Sequence, residues 1–497
     1  MPLVIKTAEG TSERNGLTIW DITRHSATTC IKALHPGDRA TVVLFSDDAV
    51  LLGELRSMDA MNSDMLVARF ETYSPSGRTN LAGGIKRALA VLEAREDTSR
   101  EATIMVFTDG LPNIRPAFGE LGELQRYKER HEGIPAIHTF GFGNNLDSAL
   151  LRDIAILGQG GFGFIPDGAF LATIFVNAIA NILSGYATHA TVQSDSGQIE
   201  IGPLQYGQDR YLSLPGHVTP ELLCSQGGIC TSVLGEETEA SGLPSSHILI
   251  HSLFVACMKK CLMLCTGRMF DDAADVLLNT IAEIAKVTND PYGEGLLADL
   301  NGQVKEAITP TYFSTWGHHW LRSNLRAHEL QVCNNFKDPG VQRYGGQVFR
   351  DLQESTNQLF DSLPAPRPTG RADAGTAVLR SLAAYNKSSN PCFAGDCTVL
   401  MADNTVMRLD RLRKGHVVLT DQGHGMVRCI LRTRCENGVA RLVCFDNGLR
   451  VTEYHPISNL RSASSACDED SWVHPCALRK ATNVRCPMVY SVLLDSG

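Results

Sequence analysis

The sequence predicts a multidomain protein: an α/β doubly wound domain, then a small β module with a helical region, then an all-β domain at the C-terminal end. Helical and strand-like segments alternate over 17–185, which is typical of βαβ units around a mostly parallel sheet. Polar and apolar residues alternate over 186–250, between Gly and Pro punctuation, as in antiparallel strands. From 392 onward, short runs rich in Val, Leu and Ile are separated by turns, which predicts short strands.

The predicted boundaries follow these changes of pattern. The chain of 497 residues is long enough for several domains. Helical patterns return after the β module, and Pro-, Gly- and Ser-rich stretches such as "LPAPRPTGRADAG" precede the last domain. The predicted segments are 1–185 for the α/β domain, 186–250 for the β module, 251–345 for the helical region, 346–391 for a linker and 392–497 for the all-β domain.

Composition and charge exclude several classes of partner. The net charge of −9 argues against nucleic acid or an anionic membrane surface as a partner bound through bulk charge. The N-terminus lacks a signal-peptide pattern, and no window reaches about 18 uncharged apolar residues. We therefore expect a cytoplasmic protein that binds no membrane. The sequence favours a protein partner and makes no prediction of the oligomeric state.

The 15 cysteines include no C-x-x-C pair, so a zinc site with that spacing is not expected. Cys257, Cys261 and Cys265 recur every four residues and would share one face of a helix. We interpret this stripe as buried core thiols, with a metal or redox role as the alternative. Eight of the 15 cysteines follow residue 391, and most of these also read as buried thiols, since no signal peptide points to an oxidising compartment.

The α/β domain offers two polar residues at the places where such sheets bind ligands. "ATIMVFTDG" reads as a buried strand followed by Asp109, and Thr79 precedes the helical segment "NLAGGIKRALAVLEARE". Ligands of doubly wound sheets bind beyond the carboxyl ends of the strands, so the loops after Phe45, Phe107 and Phe142 are candidates. Without a ligand, Thr79 would be an N-cap and Asp109 a capping carboxylate.

The segments "SPSGRTNLAGGI" and "VFTDGLPN" resemble those of a von Willebrand factor type A domain. The resemblance implies a magnesium site to which Thr79 and Asp109 contribute oxygen ligands. The D-x-S-x-S motif that ends the first strand in that family does not precede the helix at 17–34. The magnesium site is therefore expected to be incomplete, and no cofactor is required. Either residues 2–6 fill part of the first strand's place, or the chain is a shortened version of a longer one.

"KSSNPCFAGDCTVL" introduces a thiol with a candidate chemical role. A cysteine that attacks the preceding peptide carbonyl needs a group to protonate the departing nitrogen and donors to hold the oxyanion. Thr452 and His455, in "LRVTEYHPI", follow an apolar run and could face one point, and a histidine titrates near neutral pH. The alternative is that Cys392 is a buried thiol and His455 a surface residue.

Together, "CFAGDCTVL", "RLDRLRKGHVVLTDQG" and "VTEYHPI" resemble the Hint domain of inteins and hedgehog C-terminal domains. The whole chain is similar to the Vwaint and Vint architecture, in which a type A domain precedes a Hint domain. The resemblance implies an N–S acyl shift: Cys392 attacks the carbonyl of Pro391, His455 protonates the amide nitrogen and Thr452 helps to hold the bond. Cleavage or ligation of the N-terminal part would follow. The ending "VYSVLLDSG" lacks the final His-Asn of splicing inteins, so splicing is not expected.

The sequence thus leaves two functions to compare. The first is an autoprocessing protein with self-cleaving cysteine chemistry at Cys392, Thr452 and His455. The second is a non-enzymatic protein-binding scaffold with an inactive Hint domain. The fate of the bond between Pro391 and Cys392 distinguishes them. A hydrolase acting on outside substrates is not supported, since G-x-S-x-G, P-loop and H-E-x-x-H motifs are absent from the sequence.

Overall fold

The chain forms two compact units, Met1–Asn386 and Lys387–Gly497, here called the N-terminal and C-terminal units. The structure is a computed structural model, and the residues it describes are 16–131, 133–166, 168–194, 197–214, 220–226, 229–235, 245–288, 291–335, 338–370, 382, 392–420, 423–435, 438–452, 457–458, 472–473 and 475–494. The predicted α/β, β and helical segments all lie in the N-terminal unit. Residues 2–6, which the sequence offered as part of a first strand, lie outside the described residues.

The N-terminal unit begins with the predicted α/β domain. Its described helices are α1 Ile19–Ala33, α2 Ala60–Glu71, α3 Leu81–Glu93, α4 Gly119–Arg130, α5 Ser148–Leu157 and α6 Gly168–Leu183. Its described strands are β1 Arg39–Ala40, β2 Val43–Phe45, β3 Ala49–Leu51, β4 Arg56–Ser57, β5 Thr103–Thr108, β6 Ala136–Phe142 and β7 Gln159–Ile165.

Strands β5, β6 and β7 form a parallel sheet in that order, which confirms the predicted fold class. One face of the sheet packs against α1 and α6 through a cluster that includes Ile22, Phe140 and Phe175. The other face packs against α3, α4 and α5 through a cluster that includes Leu89 and Ile154. Helices on both faces explain why these strands are almost continuously apolar.

The loop after Phe45 was expected to follow a strand of the parallel sheet, and that expectation is wrong. Strand β2 pairs antiparallel with β3 in a hairpin, with Phe45 opposite Ala49. The side chain of Phe45 still packs on the α3 side of the domain. The apolar run at 40–46 therefore correctly indicated a strand, although its partner is the next strand along the chain.

The β module is antiparallel, as its alternating pattern predicted. Its strands are β8 Gly185–Ala187, β9 His189–Ser194, β10 Gly197–Glu200, β11 Leu204–Gln205, β12 Glu221–Gln226 and β13 Ile229–Leu234. The order is β10-β9-β12-β13, with β11 and β8 as a separate pair.

The helical region follows with α7 Ser245–Thr266, α8 Phe270–Val287, α9 Pro291–Asp299, α10 Lys305–Ala307, α11 Pro310–Tyr312 and α12 His318–Leu330, and with α13 Gln347–Ser362. Residues 300–304 and 313–317 form π-helical turns, and residues 339–344 form a 3₁₀ turn. The 346–391 segment predicted as linker thus contains a helix. Helix α13 has an apolar face whose Phe360 is fully buried in the cluster with α1, so this part of the chain is packed.

Helix α7 carries the cysteine stripe. Cys257, Cys261 and Cys265 are buried in one hydrophobic cluster with α8 and α12, which supports the core interpretation. The Cys261 thiol donates to the Ala273 carbonyl and the Cys265 thiol to the Ile308 carbonyl. Among the described helices, the stretch Ser246–Thr266 is the one with the length and apolar composition of a membrane span, a property that a core helix can share.

Side chains of helix α12 form hydrogen bonds with the backbone of β7, the edge strand of the parallel sheet. The Ser323 hydroxyl donates to the Phe162 carbonyl and accepts from the Phe164 N–H, both at 3.1 Å. The Arg326 Nε donates to the Gly160 carbonyl at 2.9 Å. These groups belong to alternate residues of β7, whose outer polar groups would otherwise lack a strand partner.

Replacing Ser323 with alanine should therefore destabilise the N-terminal unit. Two buried backbone groups of β7 would lose their partner, at a cost of about 1–3 kcal/mol for each. The free energy of unfolding from denaturant titration measures this loss. Ser355→Ala is the matched control, because the Ser355 hydroxyl donates to Leu352 on an exposed face of α13. Equal stabilities of the two variants would contradict the role of Ser323.

A group of titratable side chains is buried between α9, α12 and the 3₁₀ turn. Asp299 is 3% exposed and accepts from the Gly340 N–H at 2.8 Å. Burial and the nearby Asp338 carboxylate raise the pKa of Asp299 to about 8. The His328 ring is fully buried, its Nδ1 lies 2.8 Å from the Tyr344 hydroxyl, and burial holds its pKa well below the usual value. Both Asp299 and His328 are therefore neutral at pH 7.

The C-terminal unit is antiparallel throughout its described strands, as predicted. These are β14 Phe393–Ala394, β15 Thr398–Leu400, β16 Val406–Arg408, β17 Val417–Thr420, β18 Gly423–Arg434, β19 Val439–Cys444, β20 Arg450–Val451, β21 Ile457–Ser458, β22 Trp472–Val473, β23 Thr482–Arg485 and β24 Met488–Leu494. The main sheet has the order β17-β18-β24-β14-β20-β19-β23. A short helix, α14 Pro475–Leu478, and a 3₁₀ turn at 409–411 complete the unit.

Candidate active site

Cys392 lies at the start of β14, in the middle of the main sheet. Phe393 pairs with Val451 of β20 on one side and with Tyr490 of β24 on the other. Because the pairing is antiparallel, Cys392 lies beside residue 452 of one neighbour and residue 491 of the other. The thiol is 1% exposed and packs in a cluster with Ala394, Leu442 and Val489.

Thr452 contacts the peptide nitrogen of the bond that Cys392 is predicted to attack. The Cys392 N–H donates to Thr452 Oγ1 at 2.9 Å, although the two residues are 60 positions apart. The Thr452 N–H in turn donates to the Cys392 carbonyl at 2.9 Å. The nitrogen of Cys392 is the leaving atom in an attack on the preceding carbonyl. The structure therefore brings two of the three predicted residues together at the bond in question.

The third predicted residue, His455, lies outside the described residues, as does Pro391. Thr452 is the last described residue before that gap. The predicted proton transfer by His455 therefore stays a prediction.

Ser491 is a neighbour of the thiol that sequence patterns did not identify. Its Oγ lies 3.2 Å from Cys392 Sγ. Burial raises the pKa of the Cys392 thiol, and the Ser491 hydroxyl opposes that shift. Strand β24 is one of the short apolar strands expected after residue 392, but only its pairing with β14 reveals which of its residues lies beside Cys392.

The other cysteines of the cluster have structural partners. Cys397 Sγ donates to the Arg450 carbonyl and accepts from the Arg450 N–H, both at 3.3 Å. Its pKa is raised by burial. The Cys486 thiol donates to the Met488 carbonyl at 3.2 Å. Both thiols are buried, in agreement with the expectation that most cysteines after residue 391 are buried.

Thr79 and Asp109 do lie close together at the carboxyl end of β5. Thr79 Oγ1 is 3.8 Å from the point where a Cβ on Gly110 would lie, and Gly110 directly follows Asp109. The N-cap of α3 is Asn80, whose side chain accepts from the Gly83 N–H, so the alternative that made Thr79 an N-cap is wrong. Thr79 instead fixes the next loop, since its N–H donates to Asn113 Oδ1 at 2.8 Å.

A described carboxylate near this pair is paired with an arginine. The nearby Asp47 carboxylate accepts from Arg78 Nε at 2.5 Å, and this bond lowers the pKa of Asp47. That carboxylate is thus already neutralised by a protein cation. Over the residues that the structure describes, no group of three or more His, Cys, Asp or Glu side chains could hold a metal ion. One hydroxyl and one carboxylate are a poor donor set for a hard divalent cation.

Sequence comparison identifies three regions. The profile of a von Willebrand factor type A domain matches residues 3–111. The profile described as VWA / Hh protein intein-like (Vwaint) matches residues 290–358, and that of a Hint domain (Vint) matches residues 391–497. Comparison with curated proteins gave no match.

The structure is also similar to solved structures of type A proteins. A von Willebrand factor type A protein from Catenulispora acidiphila is 15% identical, with 62% of this chain and 84% of that chain covered and a TM-score of 0.44. The ArnB paralog VWA2 from Sulfolobus acidocaldarius is 14% identical, with 62% and 83% covered and a TM-score of 0.40. Proximal thread matrix protein 1 from the mussel byssus, with a zinc-occupied MIDAS motif, is 18% identical, with 32% and 39% covered and a TM-score of 0.28.

The family matches follow the order of the described elements. The type A match ends just after β5, the Vwaint match runs from the start of α9 into α13, and the Vint match includes every strand from β14 to β24. The chain thus has an N-terminal α/β domain like a von Willebrand factor type A domain, a region that matches the Vwaint profile and a C-terminal sheet-rich region that matches a Hint domain.

Proposed function

We propose that the C-terminal unit is an autoprocessing domain in which Cys392 carries out an N–S acyl shift on the bond that joins it to Pro391. The observation that carries this proposal is the hydrogen bond from the Cys392 N–H to Thr452 Oγ1. It places a fixed polar side chain on the nitrogen that must leave. Any buried N–H needs an acceptor, but here the acceptor is the hydroxyl of a threonine 60 positions away, one of the residues expected at the reacting bond, and the Vint match supports the same proposal.

The proposed step forms one bond and breaks one. Cys392 Sγ attacks the carbonyl carbon of Pro391, and the bond from that carbon to the Cys392 nitrogen breaks. The thiol proton leaves the sulfur, and the nitrogen gains a proton from His455 and becomes an amine. The product is a thioester between Pro391 and Cys392. Water, a thiol or an amine then takes the acyl group and releases residues 1–391.

The position of the bond supports release as the outcome. The boundary between the two compact units falls after Asn386, a few residues before Cys392. Residues of the N-terminal unit are tied to its first helix up to 370, since the Thr369 N–H donates to Asp21 Oδ2 and the Gly370 N–H donates to the Gly16 carbonyl. Cleavage before Cys392 would separate the two units and leave residues 387–391 on the N-terminal fragment.

Cleavage in the presence of a small thiol tests this proposal. We expect the full chain to yield fragments 1–391 and 392–497 when it is incubated with 2-mercaptoethanesulfonate near neutral pH, because that thiol intercepts the thioester. The variant Cys392→Ala should yield neither fragment. Cys429→Ala is the matched control, since Cys429 is an exposed thiol of the same unit and should not affect cleavage.

Two results would overturn the proposal. A full chain that stays intact with both thiol and hydroxylamine would leave Cys392 as a core residue and favour the binding scaffold. Equal cleavage of the parent and Cys392→Ala would assign the cut to another agent.

A further inference from the structure

The Cys392 thiol has a polar neighbour to which the proposed reaction has not yet given a role. Ser491 Oγ lies 3.2 Å from Cys392 Sγ, and a hydroxyl at that distance can donate to sulfur. Resting on the proposed function above, we infer that Ser491 is a positioning residue that orients the sulfur and stabilises the thiolate from which attack begins. The hydroxyl keeps its own proton throughout, while the thiol proton leaves.

The sheet holds Ser491 in place from both sides. On one side, β24 pairs with β14, with Phe393 opposite Tyr490. On the other side, β24 pairs with β18 along most of its length, with Leu431 opposite Ser491. A side chain in the middle of three paired strands has little freedom to move, so its hydroxyl is preorganised toward the sulfur.

Cys392 thus lies in a row of three polar side chains across neighbouring strands. Thr452, directly after β20, accepts from the Cys392 N–H, while Ser491, in β24, contacts the Cys392 sulfur. The two hydroxyls have separate roles, since one contacts the leaving nitrogen and the other contacts the attacking atom. This division explains why a nucleophile that is 1% exposed has a polar partner inside an apolar cluster.

The apolar surroundings of Cys392 disfavour its thiolate, so a hydrogen bond from Ser491 has a large effect on it. Burial raises the pKa of Cys392, so the thiolate needs a local donor. The titratable side chains of this cluster are Cys397, Cys435, Cys444 and Cys486, and the charged or titratable side chains at the paired positions next to Cys392 are Arg432, Tyr490 and Arg450. Burial raises the pKa of Cys397 and of Cys435. The Arg432 guanidinium lies 6.0 Å from the centre of the Tyr490 ring, and Arg450 forms an ion pair with Asp396. The Ser491 hydroxyl, 3.2 Å from Cys392 Sγ, is the donor assigned to the thiolate.

The test measures the titration of the Cys392 thiol directly. In full-length protein labelled with [¹³Cβ]cysteine, the Cβ signal of Cys392 is assigned by its loss in Cys392→Ala and is followed against pH. We expect Ser491→Ala to move the midpoint upward by about one pH unit, because a hydrogen bond to a charged group is lost. Ser491→Thr retains a hydroxyl and should restore the parent midpoint.

The pH profile of thiol-dependent cleavage provides the second measurement. Below the midpoint, Ser491→Ala should cleave about 10-fold more slowly, because a one-unit shift leaves a tenth of the thiolate. If Ser491→Ala does not fold, Ser491→Cys replaces the hydroxyl by a weaker donor and should shift the midpoint in the same direction. An unchanged Cys392 midpoint in a folded variant would overturn the inference.

The two measurements separate this inference from the proposed function. A parent chain that never cleaves, with a midpoint that moves in Ser491→Ala, would overturn the acyl shift but retain the Ser491 contact. A parent that cleaves, with a midpoint that does not move, would retain the acyl shift and assign Ser491 to packing alone.

Discussion

Replacing Thr452 with alanine is expected to slow thiol-dependent cleavage by on the order of 100-fold. Thr452 Oγ1 accepts from the Cys392 N–H at 2.9 Å, so it fixes the plane of the peptide bond that is to be broken. Without the hydroxyl, the amide can rotate away from the direction in which the sulfur attacks. Rate constants from the time course of fragment formation measure the effect.

Two further variants separate chemistry from folding in this prediction. Thr452→Ser keeps an oxygen at the same position and should cleave within a few fold of the parent. Thr398→Ala, at an exposed position of β15, should cleave at the parent rate. Parent-like cleavage by Thr452→Ala in a folded chain would contradict the role assigned to Thr452.

Replacing Asp299 with asparagine is expected to stabilise the N-terminal unit by several kcal/mol above pH 8. The folded-state pKa of Asp299 is raised to about 8. A group with a raised pKa stabilises the fold fully below its unfolded pKa, near 4, and this stabilisation is lost as the pH rises through the folded pKa. Asparagine is neutral at every pH, and its side-chain oxygen can still accept from the Gly340 N–H.

The parent and the variant should therefore differ in the shape of their stability profiles. The free energy of unfolding of the parent should fall between about pH 5 and pH 8, while that of Asp299→Asn should stay nearly flat there. Both should lose stability in acid, because His328 has a lowered pKa and must take up a proton on unfolding. Asp272→Asn, at an exposed position of α8, is the control and should follow the parent. Parallel profiles for the parent and Asp299→Asn would contradict the neutral buried carboxyl.

Local pattern was sufficient to predict the sheet of the α/β domain. The run before Asp109 is apolar at nearly every position because β5 is covered by helices on both faces, and such a run has few alternatives. The same holds for Cys392 and Thr452. Their places follow from short motifs next to strand ends, and β14 and β20 are paired in the structure.

The features that the sequence did not predict depend on pairing between segments that are far apart along the chain. Ser491 lies opposite Cys392 because of the register between β14 and β24, and a change of one residue in that register would turn the side chain to the other face. Ser323 completes the edge of β7 although the two segments are more than 150 positions apart. The apolar face of α13 was hidden by the Pro- and Gly-rich stretches on either side of it.

The central claim is that the acyl group of Pro391 moves onto the sulfur of Cys392. The mass of the larger fragment after incubation with 2-mercaptoethanesulfonate tests it most directly. We predict a fragment 1–391 that carries the added thiol as a thioester, and that becomes a hydroxamate when hydroxylamine is added. A fragment with a free carboxyl group at another position, or a chain that stays whole under both reagents, would contradict the claim.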